Sequence, residues 1–171
     1  MTQKRYDLIR YFAYTLELLL LFMLQQTPSL LPEILGGRPV LLIPAAILIA
    51  MYETNVISMA FGIAAGLLLD FASGHGLGFH AIVLAVLCFL FSSLCMELIQ
   101  TNFLTALAAG AVLTGIVILL QWLALYVGPG YSQPFYAFIH HYLARFVYTY
   151  LFILPLYFLN RLLAVNINPT H

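Results

Sequence analysis

Two carboxylates, Glu17 and Asp70, interrupt apolar stretches of this sequence and are its first candidates for chemistry. An ionisable group inside an apolar helix costs about 2.5–3.5 kcal/mol to insert into a bilayer, so it marks a functional position or pairs with another group. For Glu17 we expect a hydrogen bond to Tyr148 or Thr149 of the last apolar stretch, or to a membrane partner. The alternative, a proton or cation relay, would need further acids at the same depth, and the middle of the chain offers almost none.

Asp70 ends an apolar run and is followed by the turn-forming sequence Ser-Gly-His-Gly at 73–76. A carboxylate at the C-terminal end of a helix is disfavoured by the helix dipole and needs a compensating group. Two interpretations stay open. The carboxylate accepts backbone N–H groups around Ser73 and Gly74 in an Asx turn, or it forms an ion pair with Arg38 or Arg145.

Metal or catalytic chemistry has little support in the remaining polar residues. Four histidines could be grouped with Asp70, but no pair has a helical metal-ligand spacing with a completing acid. The histidines are His75, His80, His140 and His141. The sequence also has no glycine-rich phosphate loop, no nucleophile elbow and no paired carboxylates. We therefore expect no metal site, no cofactor and no enzymatic activity.

The elements that must position these residues are membrane helices. Hydrophobic residues make up 64% of the chain and charged residues 7%, far from the roughly 45–50% apolar usage of soluble domains. The composition predicts one integral membrane domain over residues 1–171. The formal net charge is zero, so there is no basic surface that would attract nucleic acid.

Six apolar stretches predict about six transmembrane helices in an all-α polytopic fold. The predicted spans are 8–25, 39–53, 55–71, 79–96, 103–127 and 142–163. A tight turn is expected at 53–55, a bend at Pro44 and a kink near Leu151 caused by Pro155.

The flanking charges predict which side of the membrane holds the termini. Lys4, Arg5, Arg10 and Arg161 fall on one side, and only Arg38 and Arg145 fall on the other. Because cytoplasmic flanks carry the excess of Lys and Arg, both termini are predicted to be cytoplasmic. This orientation places Asp70, His75 and His80 on the outer side and Glu53 and Glu97 on the cytoplasmic side.

Small residues at helical spacing predict close helix packing or contact with a partner helix. Gly62 and Gly66 lie on one face of the third predicted span, and Ala106 and Gly110 lie on one face of the fifth. Backbones can approach closely at such positions.

The Gly, Pro and Asp residues that interrupt the apolar runs between residues 37 and 78 resemble the pattern of a known family. Gly37-Arg38-Pro39 opens a short apolar span, and the segment 66–70 (Gly-Leu-Leu-Leu-Asp) is followed by Gly74 and Leu77-Gly78. In a six-span chain of this length, the pattern resembles the rod-shape-determining protein MreD family.

This resemblance implies a non-enzymatic subunit of the cell-wall elongation machinery in the bacterial cytoplasmic membrane. The implied partners are the bitopic protein MreC and, through it, the MreB filament and the peptidoglycan synthases. The implied fold is similar to the substrate-binding subunits of energy-coupling-factor vitamin transporters, with the region from Gly62 to Gly78 as its hallmark and Asp70 as the acidic turn.

A vitamin-binding subunit of an energy-coupling-factor transporter is the competing interpretation. It would need a polar pocket open to the outer side. The residues that could line one are Arg38, Asp70, His80, Tyr131 and Arg145. A third class, an enzyme of lipid or isoprenoid metabolism, lacks the acidic pairs or the nucleophile that its chemistry requires.

Overall fold

A computed structural model describes residues 3–27, 39–73, 78–97, 101–124 and 142–167. These residues form helices and contain no strand. The helices are α1 (Gln3–Gln26), α2 (Leu42–Tyr52), α3 (Asn55–Ser73), α4 (Phe79–Glu97), α5 (Phe103–Trp122), α6 (Ala144–Leu151) and α7 (Ile153–Ile167).

The chain is an all-α membrane protein. Helices α3, α4 and α5, and the stretch Arg145–Val165 formed by α6 and α7, are each long and apolar enough to cross a bilayer. Helix α2 is apolar but shorter, and α1 covers the predicted first span while carrying Arg10 and Glu17. The count of six spans stays a prediction, as does the likeness to the transporter-subunit fold.

Helix α2 forms the centre of the bundle. Every residue from Leu42 to Met51 is buried, and the helix packs against α1, α3, α4, α5 and α7. A helix that is apolar on all sides belongs in such a core. It begins three residues after the start of the predicted span 39–53, so Pro44 stands in its first turn, where a missing N–H removes no helical hydrogen bond. Pro44 in this position therefore gives no reason for α2 to bend, in contrast to the prediction from the sequence.

Helices α3 and α4 are the most closely packed pair, and two glycines set their separation. A Cβ atom built on Gly66 would lie 2.3 Å from the Cα of Ala81, and one built on Gly62 would lie 2.7 Å from the carbonyl oxygen of Leu84. No real Cβ tolerates such contacts with backbone atoms. The two helices can therefore meet backbone to backbone only because both positions are glycine.

The last apolar stretch is divided into two helices, at the position where the sequence predicts a kink. Helix α6 ends at Leu151 and α7 begins at Ile153. Pro155 has no N–H to donate to the carbonyl of Leu151. The chain adapts through a tighter bond from the N–H of Phe152 to the carbonyl of Thr149, at 3.1 Å.

Candidate functional site

The polar residues of the bundle gather at its two ends. We call the end where α3 stops and α4 starts the Asp70 end, and the end holding the turn between α2 and α3 the Glu53 end. Each end combines a buried carboxylate with side chains from distant parts of the sequence, and each has a cavity.

At the Asp70 end, the carboxylate of Asp70 caps the first turn of α4. It accepts hydrogen bonds from the backbone N–H groups of Gly78 (2.9 Å), His80 (3.1 Å) and Ala81 (3.2 Å). Its Oδ1 also lies 2.7 Å from Nδ1 of His80. The positive end of the α4 dipole supplies the compensation that the carboxylate lacks at the end of α3.

Among the described residues, the groups that compensate Asp70 are not those expected from the sequence. The donors come from the far side of the turn, at Gly78 to Ala81, and the side-chain partner is His80. No ion pair joins Asp70 to Arg145 in the described ranges. Arg38 and Gly74 lie outside the described residues. The sequence contained a signal for this cap, because Asp70 is followed nine residues later by Phe79, the start of the next apolar run.

A cavity of about 140 Å³ lies beside this cap. Five helices each contribute a polar side chain to its wall: Gln25, Ser73, His80, Gln121 and Arg145. Of the residues proposed for an outer pocket, the structure brings His80 and Arg145 to this cavity and places Asp70 directly against His80. Arg38 and Tyr131 lie outside the described residues.

Arg145 is the permanently charged side chain of this cavity wall, and it is partly buried. Its Nε is buried and has no hydrogen-bond partner. The two residues that precede α2 are held nearby by side chains, because the N–H of Val40 donates to Thr149 and the N–H of Leu41 donates to Gln25, each at 3.0 Å.

At the Glu53 end, Arg10 of α1 forms a buried ion pair with Glu53. Nε of Arg10 lies 2.6 Å from Oε1, and Nη2 donates to Oε2 at 3.2 Å. Burial raises the pKa of the Glu53 carboxyl to about 7, and the Arg10 guanidinium offsets only part of that rise. The hydroxyls of Ser58 and Ser92 donate to the backbone carbonyl of Glu53, which ties the turn to α3 and α4. The charge pattern of the sequence predicts that Arg10 and Glu53 lie on the same side of the membrane, but it does not predict that they pair.

A larger cavity of about 660 Å³ adjoins this pair. Its polar wall is formed by Arg10, Tyr52, Glu53, Asn102 and Arg161.

Between the two ends, Glu17 pairs with Asn160 of α7. The Asn160 amide donates to Oε1 of Glu17 at 2.7 Å, and Glu17 is 6% exposed. The expected interhelical hydrogen bond to the last apolar stretch is present, but its partner is Asn160 and neither Tyr148 nor Thr149. Asn160 is itself a polar residue within an apolar run, and this signal could have identified it.

The four small residues singled out from the sequence are buried against helices of the same chain. Gly62 and Gly66 face α4, as described above. A Cβ atom built on Gly110 would lie 2.8 Å from Cδ1 of Ile153, and Ala106 is 1% exposed.

The described part of the chain therefore holds its buried acids in pairs. Asp70 is paired with His80, Glu53 with Arg10 and Glu17 with Asn160. No group of three or more potential metal ligands is found in the ranges that the structure describes.

Comparison with known proteins gives one match. A family model described as rod shape-determining protein MreD matches residues 6–165. No curated protein and no solved structure matches the chain.

Proposed function

The chain belongs to the MreD family of rod shape-determining membrane proteins, and from this premise we propose that it is a non-catalytic scaffold subunit of the bacterial cell-wall elongation complex. It binds an MreC-like bitopic protein and acts through it on the MreB filament and the peptidoglycan synthases. We place it in the cytoplasmic membrane with both termini inside. The family match carries this proposal.

The pairing of the buried charges supports a scaffold. A general acid or base must be within hydrogen-bond reach of a substrate and have a pKa suited to the task. Asp70 is engaged by a helix cap, and Glu53 and Glu17 are each engaged by a side chain of another helix. These contacts join consecutive or distant helices, which is what a rigid binding platform requires.

The partner helix needs a surface other than the four small residues, because these are already covered within the chain. An apolar groove of about 400 Å³ runs between α5 and α6 and is lined by Val112, Gly115, Leu119 and Phe146, among others. Its glycine leaves room for the side chains of a transmembrane helix, and Val112 and Leu119 in it are 61% and 49% exposed. We assign this groove to the bitopic partner.

The vitamin-binding alternative has weaker support. Pockets for small organic ligands usually enclose about 300–1,000 Å³. The cavity at the Asp70 end, on the predicted outer side, has about 140 Å³. The cavity of about 660 Å³ is large enough but lies at the Glu53 end, on the predicted cytoplasmic side. An outer vitamin site therefore does not fit the described residues.

Site-specific photocrosslinking in cells tests the proposal. A photoreactive side chain at Val112, which is 61% exposed in the groove, is expected to crosslink to the bitopic partner. The matched control is Ile82, which is 68% exposed on α4. Recovery of an ATPase-bearing transport module with the purified chain would overturn the scaffold proposal. Crosslinking of the partner at Ile82 and not at Val112 would overturn only the assigned groove.

A further inference from the structure

We propose that the cavity at the Asp70 end is a binding site for one phosphate group, held by the guanidinium of Arg145. This inference does not depend on the scaffold proposal, because it concerns a cavity that the partner groove does not include.

The first argument is the charge of Arg145. Arg145 is partly buried, and a guanidinium that is partly removed from water needs compensation for its charge and donors, since desolvating an ion costs several kcal/mol. Its Nε is buried without a hydrogen-bond partner, and Arg145 forms no ion pair with an acid in the described ranges. The nearest described acid at this end, Asp70, is occupied by three backbone N–H groups and His80.

The second argument is the shape and chemistry of the cavity. A volume of about 140 Å³ is close to the roughly 150 Å³ that holds a benzene molecule in an engineered cavity. It therefore accommodates a phosphate group but not a whole nucleotide or vitamin. The side chains of His80 and Gln121 share the wall with Arg145 and can offer N–H donors to phosphate oxygens. The planar guanidinium matches two phosphate oxygens at once.

The third argument is the position of the cavity along the bundle. It is lined by residues at the ends of α1, α3 and α5 and at the starts of α4 and α6. Helices that cross the hydrocarbon end at the level of the lipid headgroups. Phosphate is the anion that this level supplies, either as a lipid headgroup or as the free ion from the aqueous side.

The test uses the full chain purified in a neutral detergent. Thermal unfolding is measured with inorganic phosphate against chloride at equal ionic strength. In a second arm, it is measured with short-chain phosphatidic acid against the diacylglycerol that lacks its phosphate. Stabilisation by phosphatidic acid alone identifies a lipid headgroup, and stabilisation by inorganic phosphate identifies the free ion as sufficient. Either result supports the site.

Variants link the effect to the cavity. Arg145→Gln is expected to weaken phosphate binding at least about tenfold. Arg145→Lys should weaken it by less, because lysine keeps the positive charge but lacks the planar guanidinium that binds two oxygens at once. Gln121→Leu provides a second cavity variant should Arg145→Gln fail to fold. Arg161→Gln, at the opposite end, is the matched control and should keep the full response.

Two results would overturn the proposal. The first is the absence of stabilisation by both phosphate probes, or stabilisation that is equal in the wild type and in the Arg145 and Gln121 variants. The second is stabilisation that the Arg161→Gln control loses to the same extent as Arg145→Gln.

Discussion

Asp70 and His80 join two consecutive membrane helices through a contact of 2.7 Å between Oδ1 and Nδ1. The same carboxylate caps α4, the helix that contains His80, so one side chain from the last turn of α3 binds the first backbone N–H groups of α4. Both residues are buried, and Gly66 brings the two backbones together one turn away. The cap and the glycine contact act on the same pair of helices.

Replacing Asp70 should destabilise the bundle through this cap. Asp70→Ala removes the acceptor of three backbone N–H groups and of His80, and buried donors left without partners cost about 1–3 kcal/mol each. We expect a loss of at least about 2 kcal/mol, measured by thermal or denaturant unfolding in detergent. Asp70→Asn keeps one carbonyl acceptor and should be intermediate. Equal stability of wild type and Asp70→Ala would contradict the cap.

Gly66 should tolerate no larger side chain. In Gly66→Ala the new Cβ would meet the backbone of Ala81 at 2.3 Å, so α3 and α4 must separate, and we expect a loss of about 3 kcal/mol. The matched control is Gly115→Ala, whose Cβ would lie 3.5 Å from the Phe146 ring, an ordinary contact. The measurement is the free energy of unfolding of the two variants under identical conditions. Similar losses of stability in both variants would argue against the close packing of α3 and α4 at Gly66.

Glu17 and Asn160 should show energetic coupling. A double-mutant cycle with Glu17→Leu, Asn160→Leu and the double variant isolates their hydrogen bond. Interhelical bonds of this kind in membranes are worth about 0.6 kcal/mol on average and up to about 1.7 kcal/mol. We expect coupling in this range, with the double variant more stable than the single losses predict. Additive losses would mean that the bond contributes nothing.

The Arg10–Glu53 pair should be sensitive to removal of either partner. Arg10→Gln leaves the buried Glu53 carboxylate without its cation, and Glu53→Leu leaves Arg10 with only its longer contact to Asp7, at 3.5 Å. Removing one partner of a buried pair costs about 3–5 kcal/mol. Arg5→Gln is the control, because Arg5 is exposed. Unfolding in detergent should show a large loss for the first two variants and almost none for the third. A large loss for Arg5→Gln would indicate a general charge effect instead.

The stability of the bundle should also depend on pH through Glu53. Burial raises the pKa of this carboxyl from 4.5 to about 7 in the folded chain. Since the folded state binds the proton more tightly than the unfolded state does, stability contributed by this group rises as pH falls through 7 towards 4.5. Between about pH 8 and about pH 6, the melting temperature should rise by a few degrees more in the wild type than in Glu53→Gln. Parallel pH profiles would contradict this expectation.

Much of the architecture could be derived from the sequence because the bilayer imposes strong rules on it. The apolar runs predict membrane helices, since backbone groups in lipid must be bonded within their own segment. The glycine spacing at 62 and 66 predicts a close helix face, and Pro155 predicts the break between α6 and α7. Such features depend on residues that are neighbours along the chain.

The polar contacts were decided by the tertiary structure. Glu17 meets Asn160 across 143 positions, and Arg10 meets Glu53 across 43. Helical periodicity says which residues share a face, but it does not say which faces meet or at what depth. The sequence by itself determined an all-α membrane protein of the MreD type. Only the packing of α1, α4 and α7 around the buried α2 decided which charge is paired, which acid caps a helix, and which arginine faces a cavity.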